Sequence, residues 1–129
     1  MPVRVYYEDT DAGGVVYHSN YIKFMERVRT EFLRHLGFGQ TALMARKQLF
    51  VVADCSVKFR QSAKLDDLLQ VTAELETIGK VRLVFKQKIF RDEQLLCEGR
   101  FVIGSIHSDT MRPVAICEEL RNKLLSMMV

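Results

Sequence analysis

The spacing of apolar residues divides the chain into one helical and one extended half. Tyr21, Phe24, Met25, Val28, Phe32, Leu33 and Leu36 recur three and four residues apart. That spacing gathers them on one face of an α-helix. Ser19 or Asn20 can cap its start, and Gly37 stands where a helix-ending glycine belongs. Lys23, Arg27 and Arg34 fall on the opposite, solvated face, and Glu31 follows Arg27 at ion-pair spacing. A short second helix is expected over Gln40 to Arg46. From Val51 the period becomes two: Val51, Ala53, Cys55, Val57 and Phe59 alternate with mostly polar residues. Leu69 to Leu75 and Val81 to Ile89 continue the alternation, with Gly79-Lys80 as a turn between them. A further run, Leu95 to Ile106, follows a turn at Asp92-Glu93. Val3 to Tyr7 reads as a short first strand. Val114 to Met128, beyond the polar turn before Pro113, reads as a closing helix with Ile116, Leu120, Leu124 and Met127 on one side.

The predicted order is therefore a short strand, a loop, a long helix, four long strands and a final helix. This is an α+β layer design in one domain, residues 1–129, with an antiparallel sheet wrapped around one long central helix. The polar strand faces make a second subunit a reasonable partner.

Composition narrows the function only slightly. Charged residues are 27% and hydrophobic residues 48% of 129, ordinary for a soluble folded chain. A net charge of +3 without a basic block does not point to nucleic acid; it suits a small anion, an acidic partner or a membrane surface. Arg4 is followed by Glu8, Asp9 and Asp11 where a secretory leader would be apolar, so a cytoplasmic protein is expected. Cys55, Cys97 and Cys117 are too widely spaced for a metal motif and read as reduced thiols. His107 has no acidic or thiol neighbour in sequence, His35 suits a helix end, and no metal is expected.

The chemistry concentrates between Tyr6 and Tyr21. Carboxylates, the pair Gly13-Gly14, His18 and a helix start stand within a few residues. A helix start exposes unpaired N–H groups that attract negative charge, glycines let the backbone turn and approach a ligand, and Asp11 can serve as base or nucleophile. The same residues also read as an ordinary turn leading into a helix.

The pattern Tyr7…Asp11…Gly14-Val15-Val16-Tyr17-His18…Asn20-Tyr21 resembles the signature of hotdog-fold acyl-CoA thioesterases of the 4-hydroxybenzoyl-CoA thioesterase type, within them the Tol–Pal-associated, YbgC-type branch. The resemblance implies a hotdog domain, dimers that pair into tetramers, and hydrolysis of acyl-CoA at a subunit interface. No metal or separate cofactor is implied, coenzyme A being part of the substrate. By position, Asp11 matches the catalytic carboxylate, His18 the residue whose amide and imidazole serve the thioester, and Tyr7 an active-site tyrosine. Gly14, Val16 and Tyr17 are expected to line the substrate, with the Tyr17 and His18 amides polarising the carbonyl. Arg60 and Lys64 are candidates for the phosphates of coenzyme A. An aromatic acyl-CoA hydrolase, or a non-catalytic module serving acyl carrier protein or envelope and lipid machinery at the inner membrane, are the alternative readings.

Overall fold

A computed structural model describes residues 1–128. The long helix, α1 (His18–His35), buries Tyr21, Phe24, Met25, Val28 and Leu33 and half-buries Phe32 and Leu36. These are the residues whose spacing predicted it. Lys23, Arg27 and Arg34 are exposed on the far side, but Glu31 pairs with Arg34, not with Arg27. The helix begins at His18, earlier than a Ser19 or Asn20 cap would allow. Tyr17 holds the N-cap position in an extended conformation and offers no side-chain cap. The other end follows expectation. Gly37 takes φ +89°, its amide donates to the Arg34 carbonyl (2.9 Å), and the Phe38 amide donates to Leu33 (2.9 Å). This double closure needs a left-handed residue, which glycine supplies without steric cost. Helix α2 (Gln40–Ala45) follows.

Six strands form one antiparallel sheet. They are β1 (Pro2–Arg4), β2 (Gln48–Phe59), β3 (Leu68–Val71), β4 (Glu74–Ile78), β5 (Arg82–Arg91) and β6 (Gln94–His107). Their order is β1-β3-β5-β6-β2, with β4 also pairing β5. Leu69, Val71, Leu83, Phe85, Ile89 and Phe101 from the sheet share one core with the buried face of α1. Phe32 meets Phe85 edge-on, with ring centres 5.7 Å apart. The expected sheet around a central helix is thus the fold of the chain. Helix α3 (Glu118–Met127) closes the core with Leu120 and Leu124; it starts after Ile116, and Met127 is exposed.

Three local departures have identifiable causes. The first strand stops at Arg4 because Tyr7–Asp9 wind into a single 3-10 turn, in which the Thr10 amide donates to the Tyr7 carbonyl (3.1 Å). The run Leu69 to Leu75 is two strands broken at Thr72-Ala73. There the buried Gln87 side chain reaches from β5, its amide nitrogen donating to the Thr72 carbonyl (3.3 Å) and the Met25 carbonyl (2.9 Å). The alternation of β2 does not become burial: Ala53, Cys55 and Phe59 are exposed and only Val51 and Val57 are half-buried. β2 is the edge strand, and a bulge between Val52 and Asp54 shifts its register against β6.

The outer face of the sheet carries charge ladders. Glu98 lies between Lys58 and Lys88 in register, and Arg100 pairs with Glu76 at 2.8 Å. Cys97 lies inward, and burial pushes its thiol up to about 11. It is a packing residue with no thiolate character at neutral pH.

Two glycines set the limits of this packing. A Cβ at Gly99 would stand 2.8 Å from a ring carbon of Phe101 and 3.1 Å from the sulfur of Met25. Gly99→Val is expected to cost about 1–3 kcal/mol in urea unfolding through overpacking. Gly37→Ala, which strains only the helix end, is expected to cost roughly 1 kcal/mol.

Candidate active site

The chain between β1 and α1 closes on itself through two aspartates. Asp9 binds backward and forward. Its Oδ2 accepts the Tyr6 amide (2.9 Å), and its carbonyl accepts the Tyr17 amide (3.2 Å) and the Asn20 side-chain amide (2.8 Å). Asp11 binds only its own loop. Its amide donates to Val15 (2.9 Å), its carbonyl accepts the Gly14 amide (3.1 Å), and its Oδ1 accepts the amides of Gly13 (2.8 Å) and Val15 (3.3 Å). Its other oxygen has no partner among the described residues, and it enters no ion pair there.

Both glycines of this turn are required. Gly14 takes φ +82°. A Cβ at Gly13 would meet Asp11 Oδ1 at 3.2 Å, so the bare backbone lets the Gly13 amide reach that oxygen. The loop is then anchored to the sheet side. Buried Val16 donates its amide to Ala63 (3.0 Å), and Val15 bridges to Lys64. The Ala63 amide in turn donates to the buried Tyr21 hydroxyl on α1 (2.8 Å). Burial raises the Tyr21 phenol above its ordinary value despite that bond. Asp67 tightens the same turn, accepting the Lys64 amide (2.9 Å) and Arg91 Nη1 (2.8 Å). Burial alone would raise its carboxyl, but those two bonds and the nearby cations outweigh it and hold it below the usual range.

At the helix start the expected pair of donors, Tyr17 and His18, is half engaged. The Tyr17 amide is engaged by the Asp9 carbonyl, and the Asn20 amide donates to Tyr17 (3.0 Å). The amides of His18 and Ser19 have no protein acceptor among the described residues, so they are the ones open to a ligand. The His18 ring rests against Phe59 at the end of β2, with centres 4.5 Å apart. Phe59 also meets Tyr21 (5.6 Å).

The remaining candidates divide. Gly14 and Val16 lie in the loop as expected. Tyr7 stands on the 3-10 turn, 82% exposed, and its hydroxyl has no partner among the described residues; within one chain it is not joined to Asp11. Lys64 sits beside the loop through its bridge to Val15 and forms no ion pair among the described residues. Arg60 is paired with Glu98 at 3.0 Å, which leaves its charge largely answered.

Sequence reasoning missed two residues, Asp9 and Phe59, and misjudged the part played by a third. Asp9 acts through a carbonyl that no spacing rule highlights, and Asn20, expected as a cap, binds that carbonyl through its side-chain amide. Phe59 lies far from His18 in sequence, and its pattern spoke only for burial. No cluster of three metal-ligating side chains occurs among the described residues.

Comparison with known proteins bears on the fold and the family. The pattern of the thioesterase superfamily matches residues 13–98, a span that includes His18 and begins just after Asp11. A Haemophilus influenzae protein named acyl-CoA thioesterase YbgC is 44% identical over 122 residues, 94% of this chain and 90% of that one. An Escherichia coli protein named acyl-CoA thioester hydrolase YbgC is 47% identical over 116 residues, 89% of this chain and 87% of that one. Among solved structures, a probable thioesterase from Bartonella henselae superposes with a TM-score of 0.87 at 34% identity, covering 91% of this chain and 97% of its own. A loop-bound carboxylate beside a helix start with open amides, carried on a sheet wrapped around that helix, belongs to a chain with these relatives: the protein is a member of the thioesterase superfamily, with the hotdog fold.

Proposed function

We propose that the protein, acting as a single hotdog domain over residues 1–129, hydrolyses acyl-CoA thioesters to a free acid and coenzyme A. The observation that carries the mechanism is the pairing of Asp11 with the open helix start. One Asp11 oxygen is fixed by two amides and the other is uncommitted. The same closed segment leads directly to the unengaged amides of His18 and Ser19.

The chemistry follows from that arrangement. The thioester oxygen sits at the His18 amide, where the helix dipole adds to the donor. A fixed donor at a developing oxyanion contributes ~10²–10³ in rate. Asp11 either attacks the carbonyl carbon, expelling the thiolate and leaving a mixed anhydride that water then opens, or takes a proton from the water that attacks. His18 holds the water or protonates the departing sulfur. Gly14, Val16 and Tyr17 form the wall around the reacting group. Tyr7, exposed in one chain, joins the site when a second copy covers it.

The assembly has a structural basis in β2. Its twelve residues pair on one side only, and Leu49, Val52 and Phe59 are exposed along it. An unpaired edge of that length is suited to an antiparallel partner. A dimer built there, two of which form a tetramer through the charged outer faces, is part of the proposal. The relatives' names support acyl-CoA as the substrate class. An acyl-carrier thioester and an aromatic acyl group are the alternatives that a substrate panel separates, and a link to envelope or lipid machinery at the inner membrane rests on family resemblance.

Asp11→Asn is expected to lower kcat by about 10²–10⁴, the range of a lost general base or nucleophile, with an unchanged melting temperature. Release of free thiol from a series of short, long and aromatic acyl-CoAs checks it; near-native turnover in the variant removes Asp11 from the mechanism. Lys64→Glu is expected to raise KM for acyl-CoA but not for the matching acyl-N-acetylcysteamine, which lacks the phosphates. Arg60→Glu, whose charge already faces Glu98, is expected to do so less.

A further inference from the structure

The apolar stripe of α1 contains a cation. Arg29 follows Met25 by four residues and precedes Leu33 by four, so helical geometry carries it into the core, where it is only 7% exposed. Its guanidinium lies over the Phe101 ring, 4.3 Å from the centre, and Nη1 donates to Gln87 Oε1 (2.8 Å). That neutral amide is its one hydrogen-bond partner among the described residues. Gln87 is itself held by the carbonyls of Met25 and Thr72. No carboxylate among the described residues lies within ion-pair distance. Glu26, exposed one turn earlier, acts on Arg29 only through space. Burial pulls the guanidinium below its ordinary value, and Glu26 and Cys55 oppose this without reversing it.

An arginine has five N–H donors, and a buried one with a single neutral acceptor is costly. Its surroundings supply a reason. Arg29 lines a cavity of about 410 Å³ between α1 and the edge strand β2, with Glu26 and Thr30 beside it and Phe50, Val52 and Phe85 among the apolar walls. Every fully buried side-chain nitrogen and oxygen among the described residues has a partner. The unused Arg29 donors therefore keep the little exposure that remains, in a residue that lines this cavity.

The cavity's two walls continue toward the active site. α1 begins at His18, and β2 ends at Phe59, whose ring touches the His18 ring. Arg29 is three turns along the same helix, roughly 16 Å from His18 at 1.5 Å per residue, a span of about a dozen acyl carbons.

We infer that this cavity receives the far end of the acyl group and that Arg29 selects acyl chains ending in a carboxylate. Such a group accepts two guanidinium N–H bonds and neutralises the buried charge, which a methyl end cannot do. The inference rests on the acyl-thioester reading above for how the ligand arrives. Its test does not, because an amide binds without a thioester to be hydrolysed.

The test is calorimetric titration of the full-length protein with the mono-N-methylamide of dodecanedioic acid, which carries one carboxylate, and with N-methyldodecanamide, which carries none, at equal ionic strength. The native protein is expected to bind the acid amide at least about tenfold more tightly, the gain of one charge-assisted bond. Arg29→Met is expected to bring the two affinities within about twofold, and Arg29→Lys, which keeps the charge but not the planar fork, to fall between. A purely structural arginine would change melting temperature in these variants while leaving the ratio of affinities alone. Equal binding of the two amides by the native protein overturns the inference whether or not either variant folds. Loss of hydrolysis in Asp11→Asn with the carboxylate preference intact separates this site from the catalytic proposal.

Discussion

The amides that open α1 have no helical acceptor, and the front of the chain is built around that deficit. Tyr17 provides no side-chain cap. The Asp9 carbonyl comes back from the preceding 3-10 turn to meet the Tyr17 amide, and the Asn20 side chain binds the same oxygen. His18 and Ser19 are left with open donors at the positive end of an 18-residue helix. A strong side-chain cap here would satisfy the helix and close the place that the proposed chemistry gives to a carbonyl oxygen. The proposal therefore rests on the unfilled cap, which the Asp11-Gly13-Gly14 turn precedes in the chain.

The sheet holds this segment in place through few contacts. Val16 and Tyr21 both reach Ala63, one through its amide and one through its hydroxyl, so loop and helix are tied to the same residue. Further along α1 a second polar link runs from Arg29 through Gln87 to Thr72, at the point where β3 gives way to β4. The break in the strand and the buried arginine therefore share one partner, Gln87. Both are low-dielectric polar contacts, in which satisfied partners are stiff and unsatisfied ones are costly.

The extent to which the sequence disclosed all this varies with the range of the interaction. α1 was legible because its seven apolar residues obey one local period, and Gly37 because a left-handed helix end almost demands glycine. The loop was legible as residue types: Asp11 and Gly14 make the turn and His18 opens the helix. The identity of the open amides was not, since it turns on which donor the Asp9 carbonyl takes. The run Leu69 to Leu75 reads as one strand because its interruption comes from Gln87, a residue of another strand. β2 looked half-buried because alternation reports a possible packed face and cannot say whether a neighbour covers it. Arg29 stands among the apolar positions of α1 without having been singled out, and its burial shows only with the sheet in place.

The most direct measurement is a crystal structure of the Asp11→Asn protein with an uncleaved acyl-CoA. The account predicts the thioester oxygen about 2.7–3.1 Å from the His18 amide, with residue 11 facing the carbonyl carbon and the Tyr17 amide still bound to Asp9. A thioester lying away from the start of α1, or an oxygen held by other donors while the His18 amide stays unused, would contradict it.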